Sequence, residues 1–536
     1  MPAFVRTLWM AAALAAASPS AAQAPSSAPP CDALAGQGRW REALACADSG
    51  LALSPRDPAL LNIRVRALMG LFRFKEAADV AFPLRPRRPD MAFASAACLF
   101  EMGRYMEAFQ VWSSLRADPE WAGPAYERLV SGLDGTGRHE EARVLALEAL
   151  ERLPAPPPGL VSLAASLLDD PALSLGLMER GGGGKPPDAG GMVPPPAVLR
   201  AARGPLCEAS AKGFLPATLP LQTLSDPVDL YGIATPGARQ PKGPAPSAQA
   251  YDHGLYNPMP PEVMAFSGAG LPQESAVRRL VVSARLEGKG PYALALDSSA
   301  SLLLLSSGTA KALDLKPLGE GEISAVGLDG TLRGRWTLVD RLEVGPVSLR
   351  RVPAFILSGP DAAGTAAGVL PLWLLRRWGL AVDPSRGSLV IHPPGTPPEA
   401  ALGAGAARLP ALWTGAGLRA ALGAPEGRNL NVLLDVGSPF SSLHLGRLDA
   451  LGLSRRRGME RDRVEAGKFG VQSCAVLEDL PLTAGSLQLK LSAPRAMDLG
   501  DAPDAPAGVL GRDALDLFVL YLDWTFGIAA LRPASP

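Results

Sequence analysis

The stretch LALDSSASLLLLSS, residues 294–307, decides the fold, because the same chain contains a second copy of it. The copy is VLLDVGSPFSSLHL, residues 432–445, and each copy places one aspartate, Asp297 or Asp435, after an apolar run. The two aspartates lie 435−297=138 positions apart. A motif repeated over this distance predicts a duplicated lobe rather than one irregular domain.

Each copy is followed by a second matching block. In the first half GVLP (368–371) leads to LAVDPSRGSLVI (380–391), and in the second half GVLG (508–511) leads to LYLDWTFGIAAL (520–531). The offset between the glycines that open these blocks is 508−368=140. Landmarks that stay in register indicate that both lobes are built on one plan.

The two lobes each offer one carboxylate at the end of an apolar strand. Pairing of the lobes can bring Asp297 and Asp435 together, which makes these two residues the candidate catalytic pair. Two further aspartates, Asp383 and Asp523, stand 523−383=140 positions apart and precede the final strand of each lobe. We interpret Asp383 and Asp523 as structural residues that begin turns.

Length and composition limit the class of protein. A chain of 536 residues is long enough for about three domains of ordinary size. Its 52 Lys and Arg balance its 52 Asp and Glu, so no excess of positive charge favours nucleic acid as a partner. Gly and Pro together number 57+54=111 and occur in clusters, which predicts long irregular linkers.

Residues 1–24 have the composition of a secretory signal peptide. Arg6 precedes an apolar run that extends from Leu8 to Ala17, and small residues follow it. That run is much shorter than the roughly twenty residues that span a bilayer. We therefore expect export to the periplasm or beyond, with no stable membrane span; the alternative interpretation is an Ala-rich start with no signal function.

A repeated segment occupies residues 25–155. GRWREA (38–43), GRYMEA (103–108) and GRHEEA (137–142) share one pattern, and FRFKEA (72–77) is a weaker copy. Glycine permits a tight turn between helices, the small alanine permits close packing, and proline ends a helix. The prolines that close the units are Pro55, Pro89, Pro119 and Pro154.

These repeats resemble the tetratricopeptide repeat, over about four units with a period near 34. The resemblance implies a solenoid of helix hairpins. Such arrays bind peptides or neighbouring domains in a groove, so a protein partner is one expectation. A spacer or a platform for another part of the same chain is the alternative.

Residues 156–275 are predicted to be a linker rich in Pro and Gly, in which short apolar runs near 214–221 can pack on a lobe.

The five cysteines form no metal-type pair, and no cofactor or metal is implied. Cys31 and Cys46 can face each other across a helix hairpin, either as a disulfide or as two buried thiols.

From residue 276 the sequence changes to short β-type runs. RRLVVSARLEG (278–288) and YALALD (292–297) flank a turn predicted at Lys289-Gly290. NLNVLLD (429–435) and SLQLKLSA (486–493) repeat the plan. These runs predict an all-β architecture.

The two lobes resemble the retropepsin-like aspartic proteases over about 276–393 and 408–533, with a linker at 394–407. The motif of that family is an apolar strand, then Asp-Thr/Ser-Gly-Ala/Ser, then an apolar block that ends in Leu-Gly. The resemblance implies that the tandem lobes form one active site from Asp297 and Asp435. The predicted fold class is multidomain: an α-helical solenoid followed by two all-β, aspartic-protease-like barrel lobes.

The loops that follow the two aspartates depart from the family motif. The expected supporting residues are Ser298 and Ser299 in lobe one and Val436, Gly437 and Ser438 in lobe two. Ser299 replaces a glycine, so its Cβ is expected to crowd the loop. Val436 replaces a hydroxyl residue that would form a hydrogen bond between the lobes.

Pro371 is a further departure, because it replaces the glycine of the Leu-Gly block and removes a backbone donor. These changes leave two hypotheses. The first is an aspartic-type endopeptidase whose substrate is a peptide or protein and whose activity these changes weaken. The second is an inactive, protease-like module that binds a peptide as an added strand, with the repeats as a platform for protein interaction.

Overall fold

The computed structural model of the chain describes the helical array and both lobes. The predicted signal peptide, residues 1–24, lies outside the described residues, as does most of 227–276. Within the described part of the chain, none of the helices combines the length and apolar character needed to cross a membrane. The described residues are 28–168, 170–180, 194–213, 215–226, 233–234, 277–324, 331–358, 366–414, 417–438, 440–448, 450–453, 461–466, 471–491, 494–497 and 506–534.

Helices that alternate with tight turns form the first part of the structure. Gly38, Gly103 and Gly137 occupy equivalent turns with φ of 73°, 76° and 82°, and Phe72 takes the same position in the weaker copy with φ of 58°. The left-handed region suits glycine, so the glycines mark three of these turns. The helices of the array are α1 (Ala28–Gly36), α2 (Trp40–Leu53), α3 (Pro58–Gly70), α4 (Phe74–Ala81), α5 (Pro89–Glu101), α6 (Tyr105–Ser114), α7 (Ala122–Gly135), α8 (His139–Arg152), α9 (Pro158–Ser166), α10 (Pro171–Arg180) and α11 (Pro196–Ala201).

The second helix of each hairpin begins in the same way. An arginine just before the helix forms an ion pair with a glutamate three residues later, which places a carboxylate in the first turn. Such exposed pairs contribute little stability, but their repetition shows that the hairpins share one local structure. The pairs are Arg39–Glu42, Arg73–Glu76, Arg104–Glu107 and Arg138–Glu141.

A disulfide joins the first two helices of the array. Cys31 on α1 is bonded to Cys46 on α2, so of the two states that the sequence leaves open, the structure shows the disulfide. The bond lies at a small cluster of buried residues that includes Ala43, Ala47 and Leu60. The oxidised pair therefore covalently closes the first hairpin.

The β-structure follows the array along the chain. In the described part of this region three short helices accompany it: α12 (Ser307–Leu313), α13 (Pro398–Leu402) and α14 (Arg512–Leu515). The strands before residue 400 are β1 (Glu208–Ala211), β2 (Ala217–Asp226), β3 (Ile233–Ala234), β4 (Val277–Leu286), β5 (Lys289–Asp297), β6 (Leu303–Leu305), β7 (Gly319–Ser324), β8 (Thr331–Val344), β9 (Val347–Leu357), β10 (Gly368–Pro371), β11 (Gly379–Asp383) and β12 (Ser388–His392).

The remaining strands belong to lobe two and to the sheet between the lobes. They are β13 (Ala407–Leu409), β14 (Ala411–Thr414), β15 (Gly417–Ala424), β16 (Arg428–Leu434), β17 (Ser442–His444), β18 (Arg461–Ala466), β19 (Val471–Val476), β20 (Leu480–Ala484), β21 (Leu487–Leu491), β22 (Arg495–Met497), β23 (Gly508–Leu510), β24 (Phe518–Asp523) and β25 (Ile528–Pro533).

Lobe one is a closed barrel. Its strands follow the order β4-β5-β10-β6-β9-β8, and β8 pairs again with β4. Lobe two has the corresponding central order β15-β16-β23-β17-β22. The predicted fold class, a helical region followed by two all-β barrel lobes, is therefore confirmed.

Strand register shows the duplication at the level of single residues. In lobe one, β5 and β10 are parallel and pair Leu296 with Leu370. In lobe two, β16 and β23 are parallel and pair Leu434 with Leu510. Both paired leucines on the aspartate strands directly precede the aspartates, so the two lobes place Asp297 and Asp435 at the same structural position.

A shared sheet connects the lobes within one chain. Strand β11 of the first half pairs antiparallel with β24 of the second half, from Gly379 opposite Asp523 to Val382 opposite Leu520. At the ends of these strands Asp383 accepts a hydrogen bond from the backbone N–H of Arg386, and Asp523 accepts one from the backbone N–H of Phe526. This agrees with the interpretation of both aspartates as structural turn residues.

The stretch 156–275 differs from the predicted linker, since its described part contains helices and strands. Strand β2 pairs along one half with β12 and along the other half with β4, so it joins the shared sheet to the lobe-one barrel. Pro216 directly precedes this strand and Pro220 lies within it, which hides the strand in the sequence because prolines are typical of loops and strand edges. The stretch 394–407 likewise contains α13.

The first hairpin of lobe one turns two residues earlier than predicted. Glu287 and Gly288, with φ of 52° and 73°, form the turn instead of Lys289-Gly290. Two consecutive residues with positive φ give the turn that matches the twist of two antiparallel strands. The next hairpin of lobe one turns at Gly345-Pro346, between β8 and β9.

The turns of the helical array pack against lobe two. The backbone N–H of Asn429 donates to the carbonyl of Phe72, and the side-chain amide of Asn431 donates to the carbonyl of Glu101 at 3.2 Å. Gly103 lies directly against Pro410. Both asparagines belong to β16, the strand that leads to Asp435, so the array supports the strand that carries one of the candidate catalytic residues.

Gly137 and Gly38 offer a matched test of this interface. Both residues have positive φ, but a Cβ at Gly38 meets open space whereas a Cβ at Gly137 collides with the backbone of Trp524. We expect Gly38→Ala to cost about 1–2 kcal/mol through backbone strain alone. Gly137→Ala should cost roughly 2 kcal/mol more, because the turn must also move away from lobe two.

Chemical denaturation of both variants, followed by circular dichroism, measures the difference. Equal destabilisation by the two substitutions would show that the array does not rest on lobe two through this turn.

Candidate active site

The two candidate carboxylates lie at the ends of equivalent strands. Asp297 is the last residue of β5 and Asp435 directly follows β16. The backbone N–H of Asp435 donates to the carbonyl of Leu510 at 2.9 Å, which continues the parallel pairing by one residue. Asp297 is 4 % exposed, whereas Asp435 keeps some accessible surface. Central strands thus hold both carboxylates at the interface of the lobes.

Ser298 joins the lobes directly behind the carboxylates. Its hydroxyl donates to the carbonyl of Leu434 at 2.6 Å and accepts from the backbone N–H of Val436 at 3.0 Å. The serine therefore binds the residues on both sides of Asp435. Val436 is 2 % exposed and, as expected from the sequence, has no hydroxyl that could form the equivalent hydrogen bond from lobe two to lobe one.

Ser299 contacts both carboxylates. Its hydroxyl lies 2.8 Å from Oδ1 of Asp297 and 3.0 Å from Oδ2 of Asp435. One hydroxyl carries one proton, so it can donate to one carboxylate and accept from the other only if the other is protonated. The geometry therefore suits a pair of carboxyl groups that share a proton.

The crowding expected at Ser299 is not observed. The φ of Ser299 is not positive, and its N–H donates to Oδ1 of Asp297 at 2.7 Å. Gly437 makes the same bond to Oδ1 of Asp435 at 2.8 Å. The crowding prediction was wrong, because the loop does not need a left-handed residue here and the extra side chain points to the carboxylates.

Gly437 fills the corresponding position in lobe two, and here the space is restricted. A Cβ on Gly437 would lie 2.8 Å from both Cγ and Oδ2 of Asp297 and 3.1 Å from Oδ1 of Asp435. Ser438, the next residue, donates its hydroxyl to the carbonyl of Phe440 at 2.8 Å and thus stabilises the loop. The two loops are therefore not equivalent: lobe one presents a hydroxyl to the carboxylates and lobe two only backbone.

Gly417 is a site residue that the sequence analysis missed. It begins β15 with φ of 112°, and a Cβ there would lie 2.7 Å from Cα of Ser299 and 2.8 Å from the carbonyl oxygen of Ser298. Lobe two thus rests its backbone on the lobe-one loop. The sequence carries no signal for this contact, because it joins residues more than a hundred positions apart.

The region behind the loops also differs between the lobes. In lobe two the N–H of Gly511 donates to the hydroxyl of Ser441 at 3.0 Å, and that hydroxyl donates to Asp513 at 2.6 Å. In lobe one Pro371 is buried and stands opposite Asp297 in the strand pairing. Proline has no backbone N–H, so lobe one cannot form the hydrogen bond that Gly511 donates in lobe two.

Burial and charge give the two carboxyl groups different properties. Burial raises the pKa of Asp435 to about 7, and the negative charge of nearby Asp297 adds to the rise. Asp435 therefore keeps its proton in acidic solution. At Asp297 the backbone N–H groups of Ser299 and Ala300 each donate to Oδ1 at 2.7 Å, so this oxygen is held by two hydrogen bonds.

The raised pKa predicts a pH-dependent stability. The folded protein keeps the Asp435 proton up to a pKa of about 7, whereas the unfolded chain loses it near 3.8. The contribution of Asp435 to the free energy of unfolding is therefore fully present below its pKa in the unfolded chain. It is lost as the pH rises through its pKa in the folded protein. We expect Asp435→Asn to be more stable than wild type by roughly 1–3 kcal/mol at alkaline pH and to lose this advantage near pH 4.

Denaturant unfolding of both proteins at acidic and alkaline pH measures this effect. Asp79→Asn, on the exposed surface of α4, controls for the removal of one negative charge. An advantage of Asp435→Asn that is independent of pH would contradict the assignment of the proton to Asp435.

Comparisons with known proteins found one matching family model. Residues 282–372, which span most of lobe one and include Asp297 and Ser299, match the family model described as aspartyl protease. No curated protein matches the chain. Among solved structures, the crystal structure of aspartic proteinase from Irpex lacteus is 13% identical with a TM-score of 0.31, over 48% of this chain and 94% of that chain.

Proposed function

We propose that the protein is an exported aspartic-type endopeptidase that uses Asp297 and Asp435 as its catalytic pair. One observation carries the proposal: a single oxygen atom, Oγ of Ser299, lies within 3.0 Å of a carboxylate oxygen from each lobe. Two carboxyl groups at such a short separation share one proton, so one of them can act as a base and the other as an acid. The match of lobe one to the aspartyl protease family supports the same reaction.

The two carboxyl groups have distinct roles in peptide hydrolysis. Ionised Asp297 takes the proton from the attacking oxygen, which is a water in the ordinary two-carboxylate reaction. Neutral Asp435 donates a hydrogen bond to the peptide carbonyl oxygen, where negative charge develops. The substrate class that this chemistry defines is a peptide or protein. Export rests on the composition of residues 1–24.

Cleavage of a mixed peptide library by the full-length protein tests the proposal. We expect cleavage that a statine-type transition-state analogue suppresses, and that falls as the pH rises above the Asp435 pKa of about 7, because Asp435 then loses its proton. Cleavage that the analogue leaves unchanged, or that increases steadily with pH, would contradict an aspartic-type reaction.

The same site supports a second candidate function, a peptide-binding module without cleavage. The observation in its favour is that the Ser299 hydroxyl occupies the place between the carboxylates that a water needs. This candidate would be favoured if library peptides bind to the protein, are displaced by the transition-state analogue, and remain uncleaved.

The helical array offers a separate place for a protein partner. A cavity of about 680 Å³ lies between α6 and α8, beside exposed Met106 and Val144.

A further inference from the structure

The hydroxyl of Ser299 meets the geometric requirements of an activated nucleophile. A nucleophile must lie within about 2.6–3.2 Å of its base, and a further group must orient that base. Ser299 Oγ is 2.8 Å from Oδ1 of Asp297, and the N–H of Ala300 holds the same oxygen at 2.7 Å. Ser299 is also partly exposed, so its hydroxyl is accessible from solution.

We propose that Ser299 Oγ, rather than a free water, attacks the peptide carbonyl, so that hydrolysis proceeds through an ester on Ser299. This inference rests on the proposed function, since it assigns the nucleophile for the same site. It makes Ser299 a catalytic residue, where the family motif has a glycine with no side chain.

The chemistry of the pair supports a serine in this role. An alcohol is about as weak an acid as water, so a carboxylate that activates a bound water can activate a hydroxyl in the same place. The hydroxyl is also fixed to the loop that carries Asp297, so no separate molecule has to be captured and oriented. The serine thus replaces the water in position and in chemistry.

The proposed reaction has two balanced stages. In the first, Ser299 Oγ forms a bond to the carbonyl carbon while its proton passes to Asp297, and the carbonyl electron pair moves to the oxygen that neutral Asp435 holds. The electron pair then returns, the C–N bond breaks, and Asp297 gives the proton to the leaving amine. In the second, a water attacks the ester, its proton passes through Asp297 to Ser299 Oγ, and the acid is released.

Covalent labelling of the full-length protein tests the proposal. The probe is an alkyl fluorophosphonate, which reacts with activated serine hydroxyls, and the readout is intact mass with peptide mapping. We expect one adduct on Ser299, with labelling at least about tenfold slower in Asp297→Asn because the base is lost. Cleavage of the peptide library should fall at least about a hundredfold in Ser299→Ala.

Ser385 is a matched control within the same chain. Its hydroxyl donates to Oδ1 of Asp383 at 2.6 Å with the same Asp-x-Ser spacing, but this pair lies at a turn of the shared sheet. We expect no adduct on Ser385 and unchanged cleavage in Ser385→Ala. Labelling of both serines would show that an adjacent carboxylate suffices, and would overturn the assignment.

The possible outcomes separate this proposal from the proposed function. The serine nucleophile is overturned if Ser299→Ala or Ser299→Gly cleaves peptide at least as fast as wild type. It is also overturned if the wild-type protein cleaves peptide but forms no adduct. Both results leave the aspartic reaction in place. If neither wild type nor any variant cleaves peptide, the proposed function fails. An adduct on Ser299 would then still establish the activated hydroxyl, whereas its absence would overturn both.

Discussion

Replacement of either Asp297 or Asp435 with Asn is expected to lower peptide cleavage by roughly 10³-fold or more. An amide cannot accept the proton that Asp297 receives, and it cannot share the proton that Asp435 keeps. The two losses should not add in the double variant, because the carboxyl groups act as one unit. Initial rates on the most readily cleaved library peptide measure the effect.

Asp383→Asn is the control for these substitutions. Asp383 is buried and accepts hydrogen bonds at a strand end, as Asp297 does, but it belongs to a turn of the shared sheet. We expect its substitution to leave cleavage within about threefold of wild type, since an amide oxygen can still accept the turn's hydrogen bonds. Retention of full activity by Asp297→Asn or Asp435→Asn would rule out the two-carboxylate mechanism.

Gly437→Ala should be the most damaging small substitution in the lobe-two loop. The added methyl group would lie 2.8 Å from Cγ and Oδ2 of Asp297, so the carboxylate must move. A displacement of about 1 Å at a reacting group can cost roughly a hundredfold in rate. We therefore expect cleavage to fall at least about a hundredfold, while the protein remains folded.

Gly308→Ala is the matched control, since it adds the same methyl group within α12 of lobe one. The nearest atom to that methyl group is Oγ of Ser306 at 3.8 Å, an ordinary contact. Melting curves of both variants separate a displaced carboxylate from a general loss of folding. Wild-type cleavage by Gly437→Ala would show that the distance between the carboxyl groups is not critical.

The sequence predicts the duplicated lobes because their signals are local. Apolar strands that end in Asp297 and Asp435, followed by GVL blocks, need no knowledge of distant contacts, and the strand register of both lobes agrees with them. The helix hairpins are predictable for the same reason. Gly103 and Gly137 supply the left-handed turns that the local pattern requires.

The details of the site depend on distant contacts, which one sequence does not reveal. Ser299 was expected to disturb the loop, but its hydroxyl meets a carboxylate that lies 136 positions away. Gly417 supports the same loop from the start of lobe two. Strand β2 escaped prediction because prolines interrupt its pattern, and its two partner strands come later in the chain.

The shared sheet also has a consequence for how the molecule matures during synthesis. The edge that β11 offers from residue 379 stays unpaired until residues 518–523 have left the ribosome. Asp435 likewise gains its supporting carbonyl only when Leu510 has been made. A nascent chain that stops after lobe one thus carries an open strand edge and one of the two candidate carboxyl groups. The proposed function therefore predicts peptide cleavage only by chains that have been translated through both lobes.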